Sequence, residues 1–262
     1  MEAELTADAN SIPIIVHVPH SAIDIPADVR EGILLEDDAL NRQLLMMTDW
    51  YTDEMIDTER TGVTVVRYSV SRLVVDPERF RDDEEEMMAE VGMGAVYTRT
   101  LGGTTLRRFD AGEREALLQR FYDPHHRRMN ELTAKILEEH VQCLILDLHS
   151  FPAHPLPYEL NQSPDRPDIC IGKDDFHSPD TLVVTAVNFF EGRGFAVKIN
   201  EPFAGVFVPS DFYQKEQCLR AIMVEVNRSL YMNEVTGEKA AGFEAIEKVL
   251  TDFASTIVSV GD

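Results

Sequence analysis

Short β-branched runs, separated by segments with helical periodicity, constrain this chain more than any other feature. Ile12 to Val18 (IPIIVHV), Gly62 to Tyr68, Cys143 to Leu148 (CLILDL), Asp168 to Ile171, Phe195 to Ile199 and Cys218 to Val226 read as strands. Several are apolar on both faces, as strands buried in a mixed or mostly parallel sheet are. Glu36 to Arg60 is predicted to be one helix, with Leu40, Leu44, Met47, Tyr51 and Met55 at steps of three and four. A second spans Asp110 to His140, opened by an Asp cap, with Pro124 expected to break or kink it. Ser178 to Gly192 carries Pro179 at its first helical position, and Glu238 to Val258 closes the chain. Strands alternating with helices mean an α/β fold, a mixed, mostly parallel central sheet with helices on both faces. No linker, biased tract or repeat divides the 262 residues, so 1–262 is predicted as a single domain with a loose tail over 1–11. In such sheets ligands bind beyond the carboxyl ends of the strands.

Charge narrows the partners. Asp and Glu number 47 against 24 Lys and Arg, a net charge of −23. Nucleic acid and anionic membrane surfaces require a positive face and are excluded as partners. A small anionic substrate is not, because a few arginines focused in a cleft overrule the global field. Cys143, Cys170 and Cys218 sit in apolar runs without a CxxC spacing, which predicts three buried thiols in a reducing compartment. The acidic start MEAELTADANS is unlike a signal peptide, and no run nears the ~20 apolar residues of a membrane span. A cytoplasmic protein is expected; composition leaves the oligomeric state open.

Two strands end in the same chemistry. IPIIVHV delivers His20 and CLILDL delivers His149, two imidazoles on rigid supports where ligands bind, as a metal site requires. Either alone would be an ordinary structural histidine; the repetition favours ligands. Asp147 lies two residues before His149 and so leaves the strand on the same face. A carboxylate in an apolar strand needs a partner, and orienting a ligand imidazole is one such pairing. The third ligand should be a carboxylate: Asp49, placed with Asp53 on one face of the predicted helix, with Asp24 as rival. His125 and His126 are adjacent, point apart on a helix, and are expected to be exposed or behind the ligands. Glu225, near the end of an apolar strand, fits a general base, the alternative being an ion pair with Arg228. Arg72 and Arg79 flank a short extended segment with Asp76 between them, and an arginine fork grips carboxylates bidentately. Surface ion pairing is the plainer alternative. Three polar stretches, 98–110, 151–168 and 200–213, read as site walls, with Arg107, Arg108, Asn200 and Tyr213 as contacts. The acidic run Asp82 to Glu86 reads as a solvated loop. Neither GxSxG nor GxxxxGK occurs.

The motifs VPHSAIDIP, TDWYTDEM, SRLVVDPERF, LDLHSFP, NEPFAG and VEVNRSLYM, in this order, resemble the N-formylglutamate amidohydrolase family from about residue 12 to about residue 235. The resemblance implies a zinc-carboxypeptidase-like (phosphorylase/hydrolase-like) fold and one Zn2+ per chain. It makes His20 and His149 zinc ligands and Glu225 the base, and it puts the substrate carboxylate on Arg72 and on Asp76 to Arg79. Asn200 and Arg228 fall among the substrate contacts, with Asp147 and Asp76 behind the metal. Glu78 stands where the relatives usually carry Asn, and Ile23 stands where they carry an acidic zinc ligand, which directs attention to Asp49. The implied reaction is hydrolysis of N-formyl-L-glutamate to formate and L-glutamate, a step of histidine degradation. Zinc hydrolysis of another N-acyl amino acid or a peptide is the first alternative, and a non-catalytic metal-binding module the second.

Overall fold

Six strands form one sheet in the computed structural model, which describes residues 12–159 and 161–258. They are β1 (Ile14–Val18), β2 (Thr64–Arg67), β3 (Cys143–Phe151), β4 (Ile169–Gly172), β5 (Val197–Ile199) and β6 (Leu219–Asn227). Their order is β2-β1-β3-β6-β4-β5, and every neighbouring pair is parallel except β4 with β6. The single α/β domain, with its mixed and mostly parallel sheet, is the expected architecture. The expected tail over 1–11 lies outside the described residues.

The helices are α1 (Ala27–Arg30), α2 (Asp37–Met47), α3 (Thr58–Thr61), α4 (Ala111–Leu117), α5 (Asp123–His140), α6 (Asp180–Glu191) and α7 (Phe243–Ile257). Period-two alternation along the central strands decides which helix covers which face. Ile14, Val16, Leu144, Leu146, Leu148, Ile222, Val224 and Val226 pack with Leu182, Phe190, Leu250 and Phe253 of α6 and α7. Ile15, Cys143, Ile145, Leu219 and Ala221 turn the other way, onto Met129 and Ile136 of α5. Burying each such aliphatic side chain contributes roughly 1.5–3 kcal/mol, so the two layers hold the sheet from both sides. Among the described residues no helix is long and apolar enough to cross a membrane.

The predicted helix over 36–60 is not continuous. α2 stops at Met47, Thr48 turns extended (ψ 138°), and Tyr51 adopts a left-handed φ of 66° before a 3-10 turn at Thr52–Glu54. The helical spacing misled because Met55 and Ile56 are buried through that turn instead of on a helix face. Asp49 and Asp53 therefore share no helix face: Asp49 is 2% exposed, while Asp53 stays near Arg67. In the second helical segment Asp110 caps α4 in a reciprocal box with Glu113. Pro124 does not break it. It sits in the first turn of α5, where no N–H is needed, and the irregularity falls just before it as a wide π turn over Leu118–Tyr122. α7 begins five residues later than expected, at Phe243 rather than Glu238. Cys143 and Cys170 are buried, but Cys218 is only partly so.

Candidate active site

Register builds the site. β1 and β3 pair so that His17 stands opposite Asp147, and β3 and β6 pair so that His149 stands opposite Glu225. Because Asp147 and His149 follow Ile145 at steps of two, and His17 follows Ile15, these groups leave the sheet on its α5 side. The inner positions of that face are packed; the carboxyl-end positions are polar. His20 lies two residues beyond β1, and its carbonyl accepts the backbone N–H of Asp49 at 3.0 Å. That bond ties the irregular segment after α2 to the end of β1.

Each histidine stands between two carboxylates. Asp49 Oδ2 is 3.1 Å from His149 Nδ1 and 3.6 Å from His20 Nδ1. On their far sides, His20 Nε2 meets Asp76 Oδ1 at 2.8 Å and His149 Nε2 lies 3.1 Å from Asp147 Oδ1. The ring centroids are 5.1 Å apart. His20, Asp49, Asp76, Asp147 and His149 are all at most 3% exposed. Asp24, the rival ligand, is exposed. Glu78 enters the same centre, its Oε2 3.1 Å from His149 Nε2, although its side chain is 20% exposed. Donor atoms of His20, Glu78 and His149 fall within 4.8 Å of one another, as do those of His17, Glu78 and Asp147.

The donor set suits a metal ion. His20 Nδ1 and Glu225 Oε2 at this centre are buried without hydrogen-bond partners, and unpaired buried polar atoms are destabilising unless something meets them. Two imidazoles and a carboxylate, with further carboxylates on the imidazoles' other nitrogens, are what catalytic zinc sites use.

Charge is poised accordingly. Burial alone would raise the Asp49 carboxyl, but hydrogen bonds from His149 and His20 and the charge of Arg228 outweigh it and hold it well below the usual range. Burial likewise opposes ionisation of Asp76, yet Arg72 and His20 keep it low. His149 is held well above 6.5 despite its burial, by Glu78 and Asp147. Glu225 goes the other way: burial pushes it up to about 8, with Asp49 and Glu78 adding to the effect of burial.

The expected substrate contacts divide. A cavity of 1210 Å³ is lined by Arg72, Arg79, His20, Asp49, His149 and Glu225, among others. Arg72 is bound to Asp76 through Nε (3.2 Å) and Nη2 (2.7 Å). Arg79 lies farther from its acids, its Nε 3.8 Å from Asp76 and its Nη1 3.6 Å from Glu86, and its Nε makes no hydrogen bond. Arg228 also lines the cavity but is committed to the scaffold, donating to Asp49 Oδ1 (2.9 Å), Ser150 Oγ (3.1 Å) and Met46 O (2.7 Å). Asn200 is not among the lining residues; its Oδ1 accepts from Lys173 N at 2.9 Å and so shapes the loop from which Phe203 to Val208 reach the cavity. Arg107 is buried, its guanidinium spent on the Leu73 and Val74 carbonyls. The run Asp82 to Glu86 is only partly solvated, since Glu86 is 7% exposed and caps the turn at Met87–Val91. His125 is buried against His17, and His126 bonds Pro77 O.

His17 carried no role in the sequence. Its signal was present, a polar residue in an apolar strand, the same signal that marked Asp147.

Two histidines and several carboxylates gathered at the carboxyl ends of the strands form a candidate hydrolytic centre, and comparison with known proteins identifies the chain as a hydrolase acting on an amide bond. The N-formylglutamate amidohydrolase family profile matches residues 12–232, and the chain belongs to that family. It is similar to the N-formylglutamate deformylase of Pseudomonas putida, 24% identical over 243 residues that cover 89% of this chain and 87% of the relative. The N-formylglutamate deformylase of Pseudomonas aeruginosa is 25% identical over 271 positions, covering 100% and 98%. In fold it resembles the crystal structure of N-formylglutamate amidohydrolase from Ralstonia eutropha JMP134, with a TM-score of 0.83 at 23% identity, covering 95% and 94% of the two chains.

Proposed function

We propose that this chain hydrolyses N-formyl-L-glutamate to formate and L-glutamate, with one zinc ion held by His20, Asp49 and His149. The observation that carries the proposal is the placement of Asp49 Oδ2 against the Nδ1 atoms of both histidines, while their Nε2 atoms face Asp76 and Asp147. Protons on the two Nε2 atoms, with Asp76 at 2.8 Å and Asp147 at 3.1 Å, would leave the Nδ1 lone pairs on the side of Asp49 Oδ2. Glu78 is the competing third ligand. Asp49 is preferred because it is buried and fixed by Arg228 and by its own N–H, whereas Glu78 is partly exposed.

When bound, zinc supplies Lewis acidity to the scissile acyl group and to the attacking water. The protein does the rest. Glu225 stands beside His149 in register, with Oε2 free to accept the water's proton. It then returns that proton to the leaving nitrogen as the C–N bond breaks, so one water is consumed and formate and an amine are released. With zinc bound, Glu225 would be drawn down from its raised pKa toward the carboxylate form a base needs. Arg79 binds a substrate carboxylate, because it lines the cavity and holds its own acids only at 3.6 and 3.8 Å. Arg72 presents charge from a guanidinium locked by Asp76. Arg228 acts through Asp49.

The supporting homologues are named for the formyl substrate, and the amine-release rates of N-formyl-, N-acetyl- and N-succinyl-glutamate and -aspartate test the choice. N-formylglutamate is expected to be the fastest; equal rates across the acyl groups would defeat the narrow assignment.

A further inference from the structure

Behind His149 runs a line of buried groups that the chemistry above leaves unused. His17 Nδ1 is 2.9 Å from Asp147 Oδ1, the oxygen that faces His149 Nε2, and 3.5 Å from Glu78 Oε1. His17 Nε2 then meets His125 Nε2 at 2.9 Å. His17 is fully buried and His125 is 7% exposed, and neither is among the residues lining the cavity. Two imidazoles held together in a core are destabilising unless each nitrogen is matched. Here the match has a direction: a proton on His17 Nδ1 serves Asp147, which leaves Nε2 to accept the N–H of His125. The Phe207 N–H fills Asp147 Oδ2 at 3.0 Å, and the Phe207 ring packs on His17 with centroids 4.2 Å apart.

We propose that His17, backed by His125, is a positioning residue for His149. It fixes Asp147 at the distal nitrogen and thereby sets the orientation and basicity of the nitrogen that faces Asp49. This inference rests on the metal centre proposed above. His17 does not line the cavity and acts through Asp147.

The test compares His17→Leu, which removes both nitrogens, with His17→Asn, which keeps an N–H donor near the Nδ1 position, and with His125→Phe. Zinc affinity is measured by competition with a chromophoric chelator, coordination by the visible spectrum of the Co2+ form, and folding by thermal midpoint. His17→Leu should bind zinc about 10–100-fold more weakly, as loss of a partner behind a ligand typically does, with an altered Co2+ spectrum. Its kcat should fall while KM for N-formylglutamate holds, His17→Asn should stay close to wild type, and His125→Phe should shift in the direction of His17→Leu by less. A purely structural role would lower the midpoint without moving affinity or spectrum, and that result overturns the inference. If His17→Leu fails to fold, wild-type affinity and spectrum in His125→Phe overturn it equally. Two zinc equivalents in wild type, falling to one in His17→Leu, would make His17 a ligand and refute a positioning role. A wild-type chain that binds no divalent cation defeats the metal centre itself, whereas normal binding by a folded His17→Leu defeats this inference alone.

Discussion

Glu225 is the residue on which chemistry and stability pull apart. A carboxyl opposite His149, buried and raised to about 8, is a poor choice for holding a fold together and a suitable one for moving a proton. Glu225→Gln keeps the shape and leaves the three proposed ligands untouched. Its kcat should fall by about 10²–10⁴-fold, the usual worth of a general base, with zinc content retained and KM little changed. Loss of zinc in that variant would make Glu225 a ligand; near-normal turnover would put the base elsewhere. The same substitution has a sign in stability. A carboxyl raised from 4.5 to about 8 on folding favours the folded state below pH 4.5, and that contribution drains away as pH rises through 8. Metal-free Glu225→Gln should therefore gain on metal-free wild type as pH climbs from 4.5 to 9, by on the order of a few kcal/mol. Denaturant midpoints across that window check it, and a gap that shrinks with pH would contradict the assigned environment. Asp49, Asp76 and Asp147, all lowered, act oppositely: their contribution is present at neutral pH and lost as pH falls.

At the scale of elements, three parallel strands do the placing, and the loops supply the rest. β1, β3 and β6 bring His17, Asp147, His149 and Glu225 onto one face by register alone. Asp49 arrives from an irregular turn held to His20 by one backbone bond, and Glu78 from the segment after β2. The difference yields a prediction about the third ligand. Asp49→Ala should lose zinc, since one ligand of three is removed from a site held by structure. Glu78→Gln should keep it, and metal analysis of both purified variants decides; the reverse pattern would transfer the ligand role to Glu78. Legibility followed the same division. The strands were readable because β-branched runs with buried positions leave few alternatives, and Asp147 with His149 could be paired from a spacing of two. The local setting of Asp49 was not readable, because the predicted helix ends at Met47 and apolar spacing cannot distinguish helix from a 3-10 turn that buries the same side chains. Arg228 could not be assigned to Asp49 from the sequence because the contact spans 179 residues.

The whole molecule carries a net charge of −23 and is proposed to take a doubly anionic substrate. Local arginines at the cavity act against a repulsive global field, whose range is a Debye length of about 10 Å at 0.1 M salt. Screening should help the encounter, so kcat/KM for N-formylglutamate should rise as ionic strength increases from about 0.01 to 0.15 M. A fall would mean that the cleft arginines dominate the long-range field. The central proposal is that a single divalent cation at His20, Asp49 and His149 makes this chain an N-formylglutamate hydrolase. The most direct measurement is a titration of chelator-stripped protein with Zn2+ while formate release from N-formyl-L-glutamate is followed. Activity should be negligible at the start, climb linearly and break at one equivalent per chain. Full formate release by the stripped protein, or none at any zinc concentration, would contradict it.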